Sequence, residues 1–552
     1  MYDYIIIGAG SAGCVLANRL SADPACSVLL LEAGARPRGL WASMPAGVSR
    51  VILPGPTNWA YQSEPDPSLA GRSLYVPRGK ALGGSSAING MAYLRGHRQD
   101  YDQWAALGNP GWGWDEVLPF FMKSEHREQG DARYRGRNGE LWVTDPVFKH
   151  PSSHAFIESC VEAGIPHLQD LNGPSPEGTG FLQFTIKNGR RHSAANAFLD
   201  PVLDRPNLHV LTGVQVHRVT IAAGRATGVE YSLGHEPVLA TANEVIVSAG
   251  AIDSPKLLML SGIGPAAELA RHGIAVVQDL PGVGENLHDH VYVHSGIETD
   301  RQASLNKDLR GIRAVFQGLD YLLRGKGCLT MGASQAVALT SVLPASSRPD
   351  TQINYRPLSW HFNARGLVEI GKDNAVTVST CQLNPRSRGR LTLKSADPAD
   401  AAAIYPNYFG DEYDMAAAIA AVRKVREILR AGPLAKHVKR ISPDDALSDQ
   451  QIADYIRREG AGSMMHWVGS CKMGDDAMAV VDERLRVHGV AGLRVIDASI
   501  MPTITSGNTH APTIMIGEKG AALLLEERNA PGGHLDLPIR TAPCPAARFE
   551  VG

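Results

Sequence analysis

The chain has 552 residues, with 54 Lys plus Arg against 56 Asp plus Glu and a formal net charge of −2, so it is too long for one small module and offers no electrostatic case for a nucleic-acid partner. With 44% hydrophobic and 20% charged residues, the composition is that of an ordinary globular protein and excludes global disorder. Seven cysteines, scattered and without a CxxC pair, suggest neither a disulfide framework nor a zinc ribbon and fit a reducing compartment.

The first residues run straight into an apolar β stretch, Tyr4 to Ile7, with no basic n-region, h-region or cleavage site. No apolar run approaches the roughly 20 residues that span a bilayer, so a soluble, cytoplasmic protein without a transmembrane segment is expected. Gly8-Ala-Gly10-Ser-Ala-Gly13 follows, then a helical stretch from Ser11 to Leu20, then a second β run from Ser27 to Leu31 that ends at Glu32. This is a βαβ unit with glycines at its first turn. Gly8 suits the tight turn, Gly10 lets backbone N–H groups approach a pyrophosphate, Gly13 lets helix pack on strand, and Glu32 is spaced to accept from ribose hydroxyls. A dinucleotide site is therefore expected. The rival reading, a serine-hydrolase elbow around Ser11, wants glycine at Ala9 and several preceding strands; Ser11 is better placed as a phosphate ligand.

Further along, Arg78-Gly-Lys-Ala-Leu-Gly-Gly-Ser-Ser-Ala-Ile-Asn89-Gly-Met-Ala-Tyr93 offers a backbone nest and hydroxyls for a second polar group. In Gly250-Ala-Ile-Asp-Ser254-Pro255 to Gly264, Ser254 predicts an N-cap, Pro255 an N1 residue and Gly262 a C′ stop. Asp411 to Arg430 predicts a helix with Met415, Ile419, Val422, Val425 and Leu429 on one stripe, halted by Gly432-Pro433, and Ser448 with Gln451 predicts a capping box. The C-terminal region carries His466-Trp-Val-Gly-Ser-Cys-Lys-Met-Gly474, Asp497-Ala-Ser-Ile-Met-Pro502 and Ser506-Gly-Asn508-Thr-His510-Ala-Pro512-Thr. Pro512 predicts that His510 and Ala511 lead into a helix. Beyond Asn529 a proline-rich tail of irregular structure is expected.

Together with Pro281-Gly-Val-Gly-Glu-Asn-Leu-His-Asp-His290 and Ser387-Arg-Gly-Arg-Leu-Thr-Leu393, these ordered motifs resemble the glucose-methanol-choline (GMC) family of flavin oxidoreductases over nearly the whole chain. The resemblance implies an α/β fold, in which a Rossmann-like FAD-binding domain (1–150, 193–300 and 464–530) is combined with an α+β substrate domain formed by insertions (151–192 and 301–463), and 531–552 is an irregular tail. It implies FAD held by Gly8, Gly10, Ser11, Ala12, Gly13, Glu32, Ala33, Arg78, Leu82, Gly83, Gly84, Ser85, Asn89, Gly90, Ala92, Val216, Ala249, Gly250, Trp467, Asp497, Ala498, Asn508, Thr509 and Thr513. The binding would be non-covalent, because flavinylated relatives carry a His where this chain has Ile88.

The family's catalytic pair matches His466, as the base, and His510, as its partner. Loss of hydride from an alcohol carbon requires removal of the hydroxyl proton, and a neutral imidazole suits that role near pH 7. The expected reaction is oxidation of a primary alcohol to an aldehyde, with oxygen or a redox carrier reoxidising the cofactor and an oligomer compatible with the family. A hydroxynitrile-lyase-like flavoprotein, a choline dehydrogenase and a non-catalytic nucleotide sensor are the alternatives. Choline-active relatives place Tyr before the base and Asn at the second position, where this chain has Met465 and His510. The expected substrate is therefore neutral, with an apolar or aromatic body met by Met464, Met465 and a Trp360-His361-Phe362 cluster. His288-Asp289-His290 lacks a spaced third ligand and is read as a satisfied polar cluster, not a metal site.

Overall fold

The computed structural model describes residues 1–530 apart from 235, 345, 363–367 and 445. The expected proline-rich tail lies outside the described residues, as does the Phe362 side chain.

The first strand, β1 (Tyr2–Ile7), is followed by α1 (Ser11–Leu20) and β2 (Val28–Glu32). Both strands are near-continuous apolar runs, as a parallel sheet covered on both faces requires. β1 pairs in parallel with β2, which pairs with β3 (Leu208–Thr212). After β3 come β4 (Val214–Ala222), β5 (Arg225–Leu233) and β6 (Glu236–Val247), an antiparallel meander. β6 does double duty: its later residues leave the meander and lie between β1 and β7 (Leu493–Val495). The parallel order is thus β3-β2-β1-β6-β7, and the chain leaves β1 towards one side and β6 towards the other. Crevices at the carboxyl ends of such strands hold ligands.

α2 (Gly250–Leu260) starts four residues before the expected N-cap at Ser254, so Pro255 lies inside the helix. Proline cannot donate to the carbonyl four residues back, that of Ala251. Ser470 Oγ donates to that carbonyl instead (2.6 Å), which explains how the helix tolerates Pro255. Ser254 donates to Asp497 Oδ2 (2.5 Å), and the same oxygen accepts from Gly250 N–H (2.8 Å).

A second sheet runs Val438–Ser442, Val291–Thr299, Ala375–Gln382, Thr351–Arg356, Ala336–Thr340 and Gly178–Phe181, with Ala461–Ser463 also paired to Val291–Thr299. Val291–Thr299, assigned from sequence to the flavin domain, pairs in this second sheet. α3 (Gly311–Arg324) packs against the Cys328–Thr330 turn, whereas α4 (Glu412–Arg430) lies beside this second sheet. α4 buries Met415, Val422, Val425 and Leu429, with Ile419 at the edge of the core, and Asp411 caps it. The Ser448–Gln451 capping box forms in both directions.

The last described helix, α5 (His510–Asn529), begins at His510 itself, so Pro512 is its third residue and not its first. The first four N–H groups of a helix have no intrahelical partner, so proline there costs no hydrogen bond. α5 packs on α1, with Gly517 against Ala12. Arg19 of α1 holds buried Glu518 of α5 (2.6 Å). The two ends of the described chain are joined at this contact.

Candidate active site

A cavity of about 990 Å³ lies where the two sheets meet. One end is built at the carboxyl ends of β1 and β2. Gly8, Gly10, Ser11 and Ala12 line it from the first turn, and Glu32, Ala33 and Val216 close it. α1 starts at Gly10 with no side-chain cap, so its amide donors and partial positive charge are available to an anion. Gly13 is set behind this wall: a Cβ there would stand 1.9 Å from Gly8 O, so only glycine lets helix pack on strand. Glu32 accepts from the N–H groups of Ala9 (2.9 Å) and Gly34 (2.8 Å). Burial raises its pKa to about 7, against the pull of those two donors. Its remaining lone pairs suit ribose hydroxyls.

The Arg78–Tyr93 segment forms the next wall, with Arg78, Gly84, Ser85, Asn89, Gly90 and Ala92 lining the cavity. Gly84 approaches Gly10 so closely that a Cβ would lie 2.7 Å from its Cα. Leu82 and Gly83 do not line the cavity: Leu82 is buried, and Gly83 N–H bonds Ala9 O (2.8 Å), tying the segment to the first turn. Ala249, Gly250, Trp467, Asp497, Ala498, Asn508, Thr509 and Thr513 line the far end with His466 and His510.

The environment of His466 identifies its tautomer. His290 Nε2 lies 2.9 Å from Leu383 O, a carbonyl that can only accept, so His290 carries its proton there. His290 Nδ1 is then an acceptor, and it stands 3.0 Å from His466 Nδ1, which must donate. His466 therefore keeps its Nε2 lone pair, facing the cavity and accepting from Asn508 Nδ2 (3.0 Å). Burial, then His290 and Arg78, hold the His466 pKa well below the usual imidazole value, so the ring is neutral. Asp289 accepts from His466 N–H (2.6 Å) and from Tyr408 OH (2.7 Å), and Ser463 Oγ also donates to it. Met465 adopts φ +67°, with its N–H on Ser463 Oγ (2.9 Å) and its carbonyl taken by Arg78. Such a conformation persists only where the surroundings over-determine it.

His510 Nδ1 lies 3.1 Å from Ser11 Oγ. Burial, reinforced by Arg191, lowers its pKa to about 4. No partner reaches its Nε2, so the Ser–His contact lacks the carboxylate that would orient the imidazole for a serine nucleophile. Trp467 Nε1 and Asn508 Oδ1 are likewise buried without partners. These orphaned polar atoms on cavity-lining residues, with the uncapped helix and the Glu32 carboxylate, fit a bound FAD. Among the described residues no group of three or more His, Cys, Asp or Glu is placed to hold a metal ion.

Met464, Met465 and Trp360 share the cavity, whereas His361 is exposed. Reading the sequence missed His290, whose role is a contact across 176 residues, and Arg356. The Arg356 guanidinium lines the cavity with Nη1 unpartnered and 6.0 Å from the Trp360 ring, and burial lowers its pKa to about 10.

The N- and C-terminal models of the GMC oxidoreductase family match residues 2–292 and 385–517. An alcohol dehydrogenase [acceptor] of Pseudomonas putida is 44% identical over 96% of both chains. An oxygen-dependent choline dehydrogenase of Brucella anthropi is 41% identical over 95% of both. Among solved structures, pyridoxine 4-oxidase from Mesorbium loti superposes with a TM-score of 0.85 at 30% identity, covering 95% of this chain and 99% of that one.

Proposed function

The chain belongs to the GMC oxidoreductase family, and from that premise we propose that it oxidises a neutral primary alcohol with an apolar or aromatic body to the aldehyde, using non-covalent FAD. The relatives named as alcohol and choline dehydrogenases support oxidation at an alcohol carbon. The observation that carries the assignment of roles is the His290–His466 pair, which presents a neutral imidazole whose Nε2 lone pair faces the cavity and accepts from the Asn508 amide.

FAD, when bound, supplies a two-electron hydride acceptor. The protein's part is to handle the proton and hold the alcohol. His466 Nε2 takes the hydroxyl proton, replacing its hydrogen bond from Asn508. The charge this creates is shared with His290 through the Nδ1–H bond. His510 Nε2 is free to hydrogen-bond the substrate oxygen from the start of α5, where the helix end favours developing negative charge. Gly10, Ser11 and Ala12 would hold the pyrophosphate, Glu32 the ribose, and Asn89, Asn508 and Thr513 the ring system.

The choline reading is compatible with the relatives, but Arg356 argues against it here. A fixed cation in a buried wall repels a quaternary ammonium, and Met465 offers soft apolar surface at the position where choline-active relatives place Tyr. Anaerobic mixing tests the reaction: an alcohol substrate should bleach the flavin absorbance, and a lyase or sensor would leave it unchanged. Steady-state comparison of benzyl-type and medium-chain alcohols with choline tests the substrate class, and a higher kcat/KM for choline would overturn it.

A further inference from the structure

Helix α3 carries its apolar face outward. Ile312, Val315, Phe316, Leu319, Leu322 and Leu323 form one helical stripe, and all are exposed, from 46% for Leu319 to 81% for Leu323. Of its 14 residues only Tyr321 is buried. The protein-facing side carries the small residues Ala314 and Gly318, which line the active-site cavity together with Tyr321 and Leu322. α3 is therefore part of the cavity rim. Leu40 and Trp41, 43% and 50% exposed, stand on the same cavity, so the outward apolar surface is continuous with the way in. Contiguous apolar patches of this kind mark interaction sites, unlike scattered single residues.

The charge around the stripe is net positive, although Arg301 and Arg313 share Asp308 and Arg324 meets Asp320. From 301 to 326 the chain carries Arg301, Lys307, Arg310, Arg313, Arg324 and Lys326 against Asp308 and Asp320. The basic residues bracket the stripe at both helix ends. Lys187 and Arg190 belong to the neighbouring hairpin, whose Gly189 carbonyl accepts from Tyr321 OH (3.2 Å), and the Arg50 guanidinium lies 5.5 Å from the Trp41 ring.

We propose that α3 and the Leu40–Trp41 turn dock on the surface of an anionic lipid bilayer, so that the active-site cavity opens onto lipid and a lipophilic alcohol enters from it. An amphipathic helix with Phe and Leu on one side and Lys and Arg at its flanks lies in the interface, its long cations reaching the headgroups. The 14-residue helix is about 21 Å long, too short for a hydrocarbon core of roughly 30 Å. No described helix is long and apolar enough to cross a membrane, so the contact is superficial. A second copy fits this face less well. It would place two net-positive segments against each other and cover the rim through which substrate must pass.

The test is sedimentation of the full-length, FAD-loaded protein with phosphatidylcholine vesicles, with and without phosphatidylglycerol, in the absence of substrate. Its outcome is thus independent of whether the proposed reaction is right. Binding should require the anionic lipid and weaken with salt. Phe316→Glu combined with Leu323→Glu should reduce it by about tenfold or more, while FAD content, circular dichroism and turnover of a short water-soluble alcohol stay unchanged. Absence of binding, or equal binding by the double variant, would overturn the proposal. So would a dimer seen by analytical ultracentrifugation that the same substitutions dissociate, which would assign the face to a second copy.

Discussion

At the scale of single residues, His466→Ala should slow flavin reduction by about two to four orders of magnitude, the range for losing a general base, with FAD still bound. Stopped-flow reduction at near-native speed would remove it from the reaction. His510→Asn should be milder, since an amide can still hydrogen-bond the substrate oxygen. The His290 side chain does not line the cavity and meets it through His466, so it is a positioning residue with a distinct signature. His290→Phe leaves His466 Nδ1–H without its acceptor and frees the ring to take the wrong tautomer. Reduction should fall by about ten- to a hundredfold with a shifted pH profile, whereas a purely structural role would lower FAD content and leave the profile of the remaining enzyme in place. The pH dependence has a defined sign. His290 and His510, each lowered to about 4 chiefly by burial, bind fewer protons folded than unfolded between 4 and the ordinary value of 6.5. Their contribution to stability is full above pH 6.5 and is lost as pH falls towards 4. Thermal melts should show a falling Tm across that window, and substitution of either histidine by a non-titrating residue should flatten the fall.

At the scale of elements, Ser470→Ala isolates the device that keeps Pro255 inside α2. It leaves the buried Ala251 carbonyl without a donor and should cost about 1–3 kcal/mol, read as a lower denaturation midpoint. An unchanged midpoint would mean that the carbonyl finds another partner. The same helix marks where reading the sequence stops. β1, α1 and the Ser448–Gln451 box were legible because their signals are local: apolar runs, a glycine turn and a reciprocal cap. The starts of α2 and α5 were not, because proline was taken for a first residue. At α2 a serine more than 200 residues away replaces the missing donor, and at α5 no donor was needed. The glycine motifs announced the nucleotide end of the cavity by their spacing. His290 and Arg356 acquire their surroundings only when the second sheet folds against the first. The stripe on α3 has ordinary helical spacing, and nothing in that pattern reveals that it points away from the core.

At the scale of the whole molecule, Ile88 lines the cavity just before Asn89 and offers no nucleophilic atom, so denaturation should release all the flavin. A yellow supernatant over colourless precipitate is the expected result, and a flavin-bearing peptide after digestion would contradict it. The junction of α1 with α5 also bears on how the enzyme is made. Ser11 and His510, 3.1 Å apart in the folded protein, are 499 positions apart in the chain. At about 5–20 residues per second, a ribosome that has finished Ser11 needs about 25–100 s to reach His510. Val216 and Gly250 complete the first part of the cradle about midway through that interval, and His466, the base, follows near its end, so the emerging chain can have a cradle for the nucleotide well before it has the means to take the alcohol proton.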